Sequence, residues 1–426
     1  MSRAVARYLT RHALPDADIA DALAGTYCHA VVIPACREPR LAECLDAVVG
    51  ASIRKTLILC VVNAREDATA ETHQTNAETL EKFNSSDRSF SVTQLSSACD
   101  LLLINRAQPG RFLSPKRGVG TARRIGSDIA LKLWDRGGLT SGWIHSTDAD
   151  ARVPGDYLRS PDAAVGRVIP FHHKTERPAL MLYEIGLRLY ALGLARATSP
   201  YAFQTVGSAL AFRCEAYAQV GGFPEREAGE DFYLLNKLAK VGPILRSTSD
   251  PIVLVDRDSD RVPFGTGPGA RKVQGELKSG LGFRTYDPRS FEALGYWNRQ
   301  LRLLSQHRDL ARIEAEMRQY RPDVWSCLEE LDVKKALVNA VENTRKEADL
   351  RGRLFRHFDA FRTLRFVHLL RDRVWPLVPW REAVNAAASS DGFDVPESAD
   401  LRVVSSLIAV TERGQTMRTP RAGLSA

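Results

Sequence analysis

The sequence lacks any stretch of about 20 consecutive apolar residues, which is the length that a helix needs to cross a bilayer. Its first 21 residues mix arginine with aspartate and have no apolar segment of the kind that a secretory signal peptide carries. These absences predict a cytoplasmic chain without a transmembrane segment. Peripheral contact with a membrane surface stays open.

Paired cysteines are missing as well. The seven cysteines are scattered and none forms a Cys-x-x-Cys pair, so the sequence indicates neither a zinc site nor a disulfide framework. This usage is typical of a reducing compartment.

Charge is biased only modestly towards the positive. The 426 residues include 59 Lys and Arg against 51 Asp and Glu, a formal net charge of +8. A basic balance suits a partner that carries phosphates. The basic residues are dispersed and are not interleaved with clustered aromatic residues, which disfavours nucleic-acid binding. A basic, non-enzymatic binding protein nevertheless remains an alternative.

Short apolar runs alternate with helical patterns in the first third of the chain. Four strands are predicted, at His29–Pro34, Thr56–Val62, Asp100–Ile104 and Gly142–Ser146, with helices between them at Leu41–Val49, Glu71–Phe83 and Gly118–Trp134. Continuously apolar strands are typical of a parallel α/β sheet with both faces covered. In such sheets ligands bind at the carboxyl ends of the strands, so the residues that follow each strand are the candidates for function.

The composition changes near Arg289, after which helical periods dominate. We therefore predict an N-terminal extension over 1–28, an α/β domain over 29–288, a mainly helical region over 289–400 and a tail over 401–426. An amphipathic helix is expected at Leu354–Leu370, whose phenylalanines lean to one side. It could contact an anionic membrane or pack on its own domain.

The sharpest chemical pattern is an Asp-x-Asp turn, Asp148 and Asp150, directly after an apolar strand. Two carboxylates that point the same way repel each other unless a cation joins them. A hard divalent ion, Mg²⁺ or Mn²⁺, accepts such oxygen ligands and keeps positions free for phosphate oxygens. The alternative is a solvated acidic turn.

A second acidic pair, Glu230 and Asp231, precedes the apolar run Phe232–Leu235. A carboxylate that is partly desolvated beside a reacting centre can act as a general base. The alternative is a helix start, where the helix dipole favours negative charge.

The third pattern, Lys116–Arg124, combines glycines with several cations at a predicted loop-to-helix junction. Glycine lets the backbone approach a ligand, and a helix N-terminus attracts phosphate. The order of residues is not that of a Walker loop. The alternative is an ordinary helix start with solvated cations.

Taken in order, these segments resemble the family 2 glycosyltransferases with a GT-A fold, from His29 to about Gly267. The resemblance is carried by Val31–Glu38, Val61–Asn63, Gly118–Gly126, the Asp-x-Asp turn, Gly207–Ser208, Gly221–Phe223 and the second acidic pair. Four residues depart from the family pattern: Asn63 stands where an aspartate is usual, Cys36 and Arg37 replace a tyrosine and an asparagine, and Arg124 replaces an asparagine. No Gln-x-x-Arg-Trp follows the acidic pair, which favours a single transfer over processive synthesis.

The resemblance implies an inverting, metal-dependent transfer from a nucleotide-diphosphate sugar, UDP-linked in the first place and GDP-linked as the alternative. Asp231 and Glu230 would be catalytic, and Asp150, Asp148 and Asp258, or Asp260 in place of Asp258, would hold Mg²⁺ or Mn²⁺. The donor would be bound by Pro34, Glu38, Asn63, Lys116, Gly118, Arg123, Asp148, Gly207, Ser208 and Arg261.

The acceptor is expected to be a hydroxyl of a small or lipid-linked molecule, and a homodimer stays open. A sugar-phosphate nucleotidyltransferase is the rival enzyme class, although the Gly-rich loop that it usually has after the first strand is missing between Pro34 and Pro39.

Overall fold

The computed structural model describes residues 2–160, 163–226, 228–256 and 265–418, with side chains up to residue 414. The chain divides into two compact units. The first consists of Met1–Thr175 and Thr205–Pro268, and the second of Glu176–Gln204 and Gly269–Ala426.

The strands are short, except for those at the centre of the main sheet. They are β1 (His29–Ala35), β2 (Thr56–Asn63), β3 (Phe90–Ser96), β4 (Cys99–Arg106), β5 (Trp143–Ser146), β6 (Ala151–Arg152), β7 (Gly166–Val168), β8 (Phe171–Lys174), β9 (Leu210–Arg213), β10 (Ile244–Arg246), β11 (Ile252–Val255), β12 (Arg284–Thr285) and β13 (Val378–Pro379).

The helices are spread over both units, and a 3-10 helix at Pro15–Ala22 follows the first of them. They are α1 (Arg3–Arg11), α2 (Leu41–Ala51), α3 (Ala70–Lys82), α4 (Val119–Asp135), α5 (Pro178–Arg196), α6 (Cys214–Gln219), α7 (Glu230–Leu238), α8 (Thr266–Lys278), α9 (Pro288–His307), α10 (Leu310–Tyr320), α11 (Pro322–Glu330), α12 (Val333–Glu342), α13 (Glu347–His357), α14 (Ala360–Arg373), α15 (Trp380–Asp391) and α16 (Leu401–Arg418).

The first unit is built on an eight-stranded sheet in the order β10-β7-β9-β5-β1-β2-β4-β3. β5, β1, β2 and β4 run parallel, so their carboxyl ends meet at one edge of the sheet. β9 is antiparallel to both of its neighbours, and β3 is an antiparallel edge strand. A smaller sheet has the order β6-β11-β8.

The four strands and three helices that the sequence predicts are all present, within one or two residues at most ends. The α/β fold class is confirmed, with a mixed sheet flanked by helices and a mainly helical C-terminal region. β1 and β2 are buried along almost their whole length, which explains their continuous apolar sequences. α4 approaches the sheet at Gly126, where an added Cβ would lie 2.6 Å from a methyl of Val32.

The predicted N-terminal extension is fastened to α4 through a buried carboxylate. Asp128 is fully buried, and its Oδ1 accepts hydrogen bonds from the hydroxyls of Tyr8 (2.8 Å) and Tyr217 (2.9 Å). Its Oδ2 accepts the backbone N–H of Leu14 at 2.9 Å. Burial raises the pKa of Asp128 to about 6.

The second unit is helical and has its own core, with Trp297 and Trp325 fully buried. Within it, α5 is the one described helix that is long and apolar enough to cross a membrane. Most of this helix is buried inside the protein, and Ile185, Leu189 and Leu192 belong to a buried cluster of this unit. Core packing therefore accounts for the composition of α5.

The prediction of one amphipathic helix over Leu354–Leu370 is wrong. α13 ends at His357 and α14 begins at Ala360, because the carboxylate of Asp359 accepts the N–H groups of Phe361 and Arg362 and caps the new helix. Most of the phenylalanines in this stretch are buried in the core, and Phe361 is 43% exposed.

Candidate active site

The Asp-x-Asp turn lies at the carboxyl edge of the main sheet. β5 ends at Ser146, which pairs with Val32 of β1, and the backbone N–H of Thr147 donates to the carbonyl of Val32 at 3.1 Å. Asp148 and Asp150 follow in the short connection between β5 and β6. The side chain of Asp148 is 37% exposed, so one of its faces is open to a ligand.

A buried arginine joins this turn to the second acidic pair. Arg123, on the first turns of α4, is 2% exposed. Its Nη2 donates to Asp148 Oδ1 at 2.5 Å, its Nη1 to Ser146 Oγ at 2.5 Å, and its Nε to Glu230 Oε1 at 2.9 Å. The predicted metal-binding and catalytic motifs are therefore held together by one guanidinium.

Two glycines make room for this arrangement. A Cβ at Gly207 would lie 2.4 Å from Nη2 of Arg123, closer than real contacts allow. A Cβ at Gly120 would lie 2.6 Å from the carbonyl oxygen of Pro224 and 3.1 Å from Cβ of Glu230. A side chain at either position would therefore displace its neighbours, for steric reasons that do not depend on charge.

The acidic pair begins α7, as its sequence position predicts. Gly229 precedes it with φ of 75°, a left-handed conformation that favours glycine. The carboxylate of Glu230 is 4% exposed, and burial raises its pKa although Arg123 opposes the shift.

Asp231 is half-buried, and its Oδ1 accepts the backbone N–H of Phe232 at 2.7 Å. Burial raises the pKa of Asp231 to about 7, and the neighbouring charge of Glu230 contributes in the same direction. A carboxyl group that titrates near neutral pH is suited to accept a proton from a hydroxyl.

Asn63 ends β2, beside the end of β1. Its Nδ2 donates to the carbonyls of Ala35 and Val61, both at 3.1 Å, which fixes the orientation of the amide. Its Oδ1 accepts no hydrogen bond from the described residues. Asn76 of α3 supports this corner, since it donates to the carbonyl of Asn63 at 2.9 Å and accepts the N–H of Arg37 at 2.9 Å.

The other predicted donor residues are distributed around the same edge. Pro34 lies in β1, Glu38 is buried in the following loop, and Gly118 begins α4. Lys116 is exposed in the loop before α4. Ser208 is fully buried, and its Oγ has no hydrogen-bond partner among the described residues. Asp258, Asp260 and Arg261 lie outside the described residues.

The fit to a divalent cation rests on two carboxylates. Within the described part of the chain, no group of three or more His, Cys, Asp and Glu side chains is arranged around a common point. The second oxygen of Asp148 accepts no hydrogen bond from the described residues, and Asp150 follows in the same turn. Two carboxylates plus phosphate oxygens and water form a normal Mg²⁺ site, so these residues fit such an ion.

Sequence reasoning missed Asn76 and Ser146 and did not assign the three partners of Arg123. Asn76 is 1% exposed in a helix that reads as polar. The acceptors of Arg123 are 23, 25 and 107 positions away in the chain, so no local pattern could reveal them. The available signal was the place of Arg123 in the Lys116–Arg124 segment, which marks the arginine but not its partners.

No protein-family model matches the chain, and no curated protein matches its sequence. Among solved structures, that of residues 1–349 of S. aureus TarS is similar, with 11% identity and a TM-score of 0.35, covering 74% of this chain and 90% of that one. A longer S. aureus TarS structure has 12% identity and a TM-score of 0.34, over 68% of this chain and 50% of that one. At these values the likeness assigns no activity.

Proposed function

We propose that this protein is an inverting, divalent-metal-dependent glycosyltransferase that moves a sugar from a nucleotide-diphosphate sugar to a hydroxyl acceptor. The observation that carries the proposal is the convergence of Asp148, Glu230 and Asp231 beside the carboxyl ends of the parallel strands. Such an edge is where α/β sheets bind their ligands.

Asp231 is the general base. Its raised pKa allows it to remove the proton from the acceptor hydroxyl as that oxygen attacks the anomeric carbon. A single displacement from the face opposite the departing diphosphate inverts the configuration at that carbon. Mg²⁺ or Mn²⁺, held by Asp148 and Asp150, would neutralise charge on the leaving diphosphate.

The side chain of Asn63 favours some nucleotide bases of the donor over others. Its amide nitrogen is committed to two backbone carbonyls, so its oxygen is the atom that can meet a base. That oxygen accepts from a ring N–H, which uracil, thymine and guanine present on their pairing edge and which cytosine and adenine lack. This hydrogen bond is compatible with the UDP-sugar expected as donor and with a GDP-sugar as the alternative, and it does not distinguish uracil from thymine.

The first test is a thermal-shift screen of UDP, GDP, dTDP, CDP and ADP, with and without Mn²⁺. A ligand that binds only the folded protein stabilises it by about 2.7 kcal/mol at 100 times its Kd. We expect a metal-dependent shift with UDP or GDP that is lost in Asp150→Ala. The matched control is Asp46→Ala, an exposed aspartate of α2, which should keep the shift.

Turnover is measured next, as release of the nucleoside diphosphate from its sugar in the presence of hydroxyl acceptors. NMR of the product then shows whether the anomeric configuration is inverted. Equal shifts with all five nucleotides, or a shift that survives Asp150→Ala unchanged, would contradict the proposed donor site.

A further inference from the structure

The Arg123 cluster is the set of side chains that this guanidinium joins: Ser146, Asp148 and Glu230. These acceptors lie on two separate segments of the first unit. Ser146 and Asp148 belong to the end of β5 and the turn after it, whereas Glu230 is the first residue of α7. The side chain of Arg123 is 3% exposed, so its donors face protein groups and not the solvent side of the site.

We propose that Arg123 is a positioning residue, which holds the donor-side turn at Asp148 and the acceptor-side helix start at Glu230 at a fixed separation. The inference rests on the proposed function and deepens it, since Asp231 follows Glu230 directly. Each hydrogen bond from the guanidinium constrains one segment, and the planar fork of arginine sets their relative orientation.

This role differs from that of a residue that binds the donor diphosphate. If Arg123 bound the donor diphosphate, replacing it would weaken the binding of the nucleoside diphosphate. A positioning residue would instead lower kcat, because a displacement of about 1 Å in a reacting group can reduce the rate about 100-fold. Binding of the nucleoside diphosphate alone would change little.

The close contact at Gly207 offers a perturbation that leaves every charge in place. An alanine there would put its Cβ 2.4 Å from Nη2 of Arg123 and so displace the guanidinium. The φ of Gly207 is not in the left-handed region, so alanine fits the backbone. Gly50 is the matched control, because an added Cβ there meets nothing within 4 Å.

The experiment compares wild type, Arg123→Gln, Gly207→Ala and Gly50→Ala, measuring kcat and KM for the donor and the Kd of the nucleoside diphosphate. For Arg123→Gln we expect kcat to fall about 100-fold, with the Kd changed by less than about threefold. Gly207→Ala should lower kcat in the same way but less, and Gly50→Ala should match wild type. A Kd weakened in proportion to kcat, or an unchanged kcat in Gly207→Ala, would overturn the inference.

A second measurement does not depend on turnover. Arg123→Gln leaves the carboxylate of Glu230 buried without its cation, so the double variant Arg123→Gln/Glu230→Gln should recover part of the lost stability. We expect the folding equilibrium constant of the double variant to be at least about tenfold larger than the value that additivity predicts. Additive effects of the two substitutions on stability would refute the coupling within the cluster. A wild-type protein without transferase turnover would instead refute the proposed function, and the stability result would still test the coupling.

Discussion

The pH dependence of the reaction tests the assignment of Asp231 as the base. Burial, aided by the charge of Glu230, raises the pKa of Asp231 from 3.8 to about 7, a change that corresponds to about 4 kcal/mol between its two protonation states. A base acts only when deprotonated. We therefore expect kcat to rise about tenfold per pH unit below about pH 7 and to level off above it.

Replacing Glu230 by glutamine changes the charge beside Asp231 and keeps the shape. The amide oxygen of Glu230→Gln can still accept the hydrogen bond from Arg123 Nε, which is 2.9 Å long in the wild type. Removing the negative charge of Glu230 lowers the pKa of Asp231, because this charge is the largest contribution after burial. Burial and the charge of Asp148 still raise this pKa, while Arg123 and the N–H of Phe232 lower it.

The assay is the pH profile of kcat with saturating donor and acceptor, for wild type, Glu230→Gln and the control Glu215→Gln. Glu215 is exposed on α6. We expect the acidic limb of the Glu230→Gln profile to move to lower pH by about one unit. This is less than half of the displacement of the pKa of Asp231 from its ordinary value, since burial is the dominant cause of that displacement. An acidic limb that moves to higher pH, or that moves equally in the control, would refute the reasoning.

Two further predictions concern stability. Asn63→Asp should lower the free energy of unfolding by about 1–3 kcal/mol, because a carboxylate cannot donate hydrogen bonds to the two carbonyls that the amide now satisfies. Urea denaturation would measure this loss, with the exposed Asn84→Asp as the control. Equal stability of the two variants would contradict the prediction. Leu301→Ala in the core of the second unit should cost about 2–5 kcal/mol, whereas Leu281→Ala, at a side chain that is 72% exposed, should change stability by less than about 0.5 kcal/mol in the same assay.

The local pattern of apolar residues is sufficient to predict the strands at the centre of the main sheet. The runs that became β1 and β2 could be recognised because a strand buried on both faces needs apolar residues at every position. β3 was missed for the opposite reason. This edge strand, Phe90–Ser96, is largely exposed or half-buried, so its sequence carries polar residues and no apolar run.

The boundaries of helices depend on capping side chains, and the spacing of apolar residues carries no information about these. The helical spacing of phenylalanine and arginine residues in Leu354–Leu370 is the same on both sides of Asp359, so periodicity alone predicts one helix where the structure has two. The aspartate side chain satisfies two N–H groups at the start of α14 and makes the break favourable. The sequence therefore located the apolar residues of this region correctly but joined them into the wrong element.

α4 shows why a candidate site can be proposed from sequence although its internal connections cannot be predicted. The sequence pattern predicts a ligand-facing junction at this helix start, and Arg123 on its first turns contacts Ser146, the last residue of β5, and Asp148 in the turn that follows. The same helix carries Arg123 into the acidic cluster and Asp128 into contact with Tyr8 and the N–H of Leu14. Because a buried carboxylate that loses its donors costs about 1–3 kcal/mol for each unsatisfied group, the N-terminal segment supports the helix that organises the site.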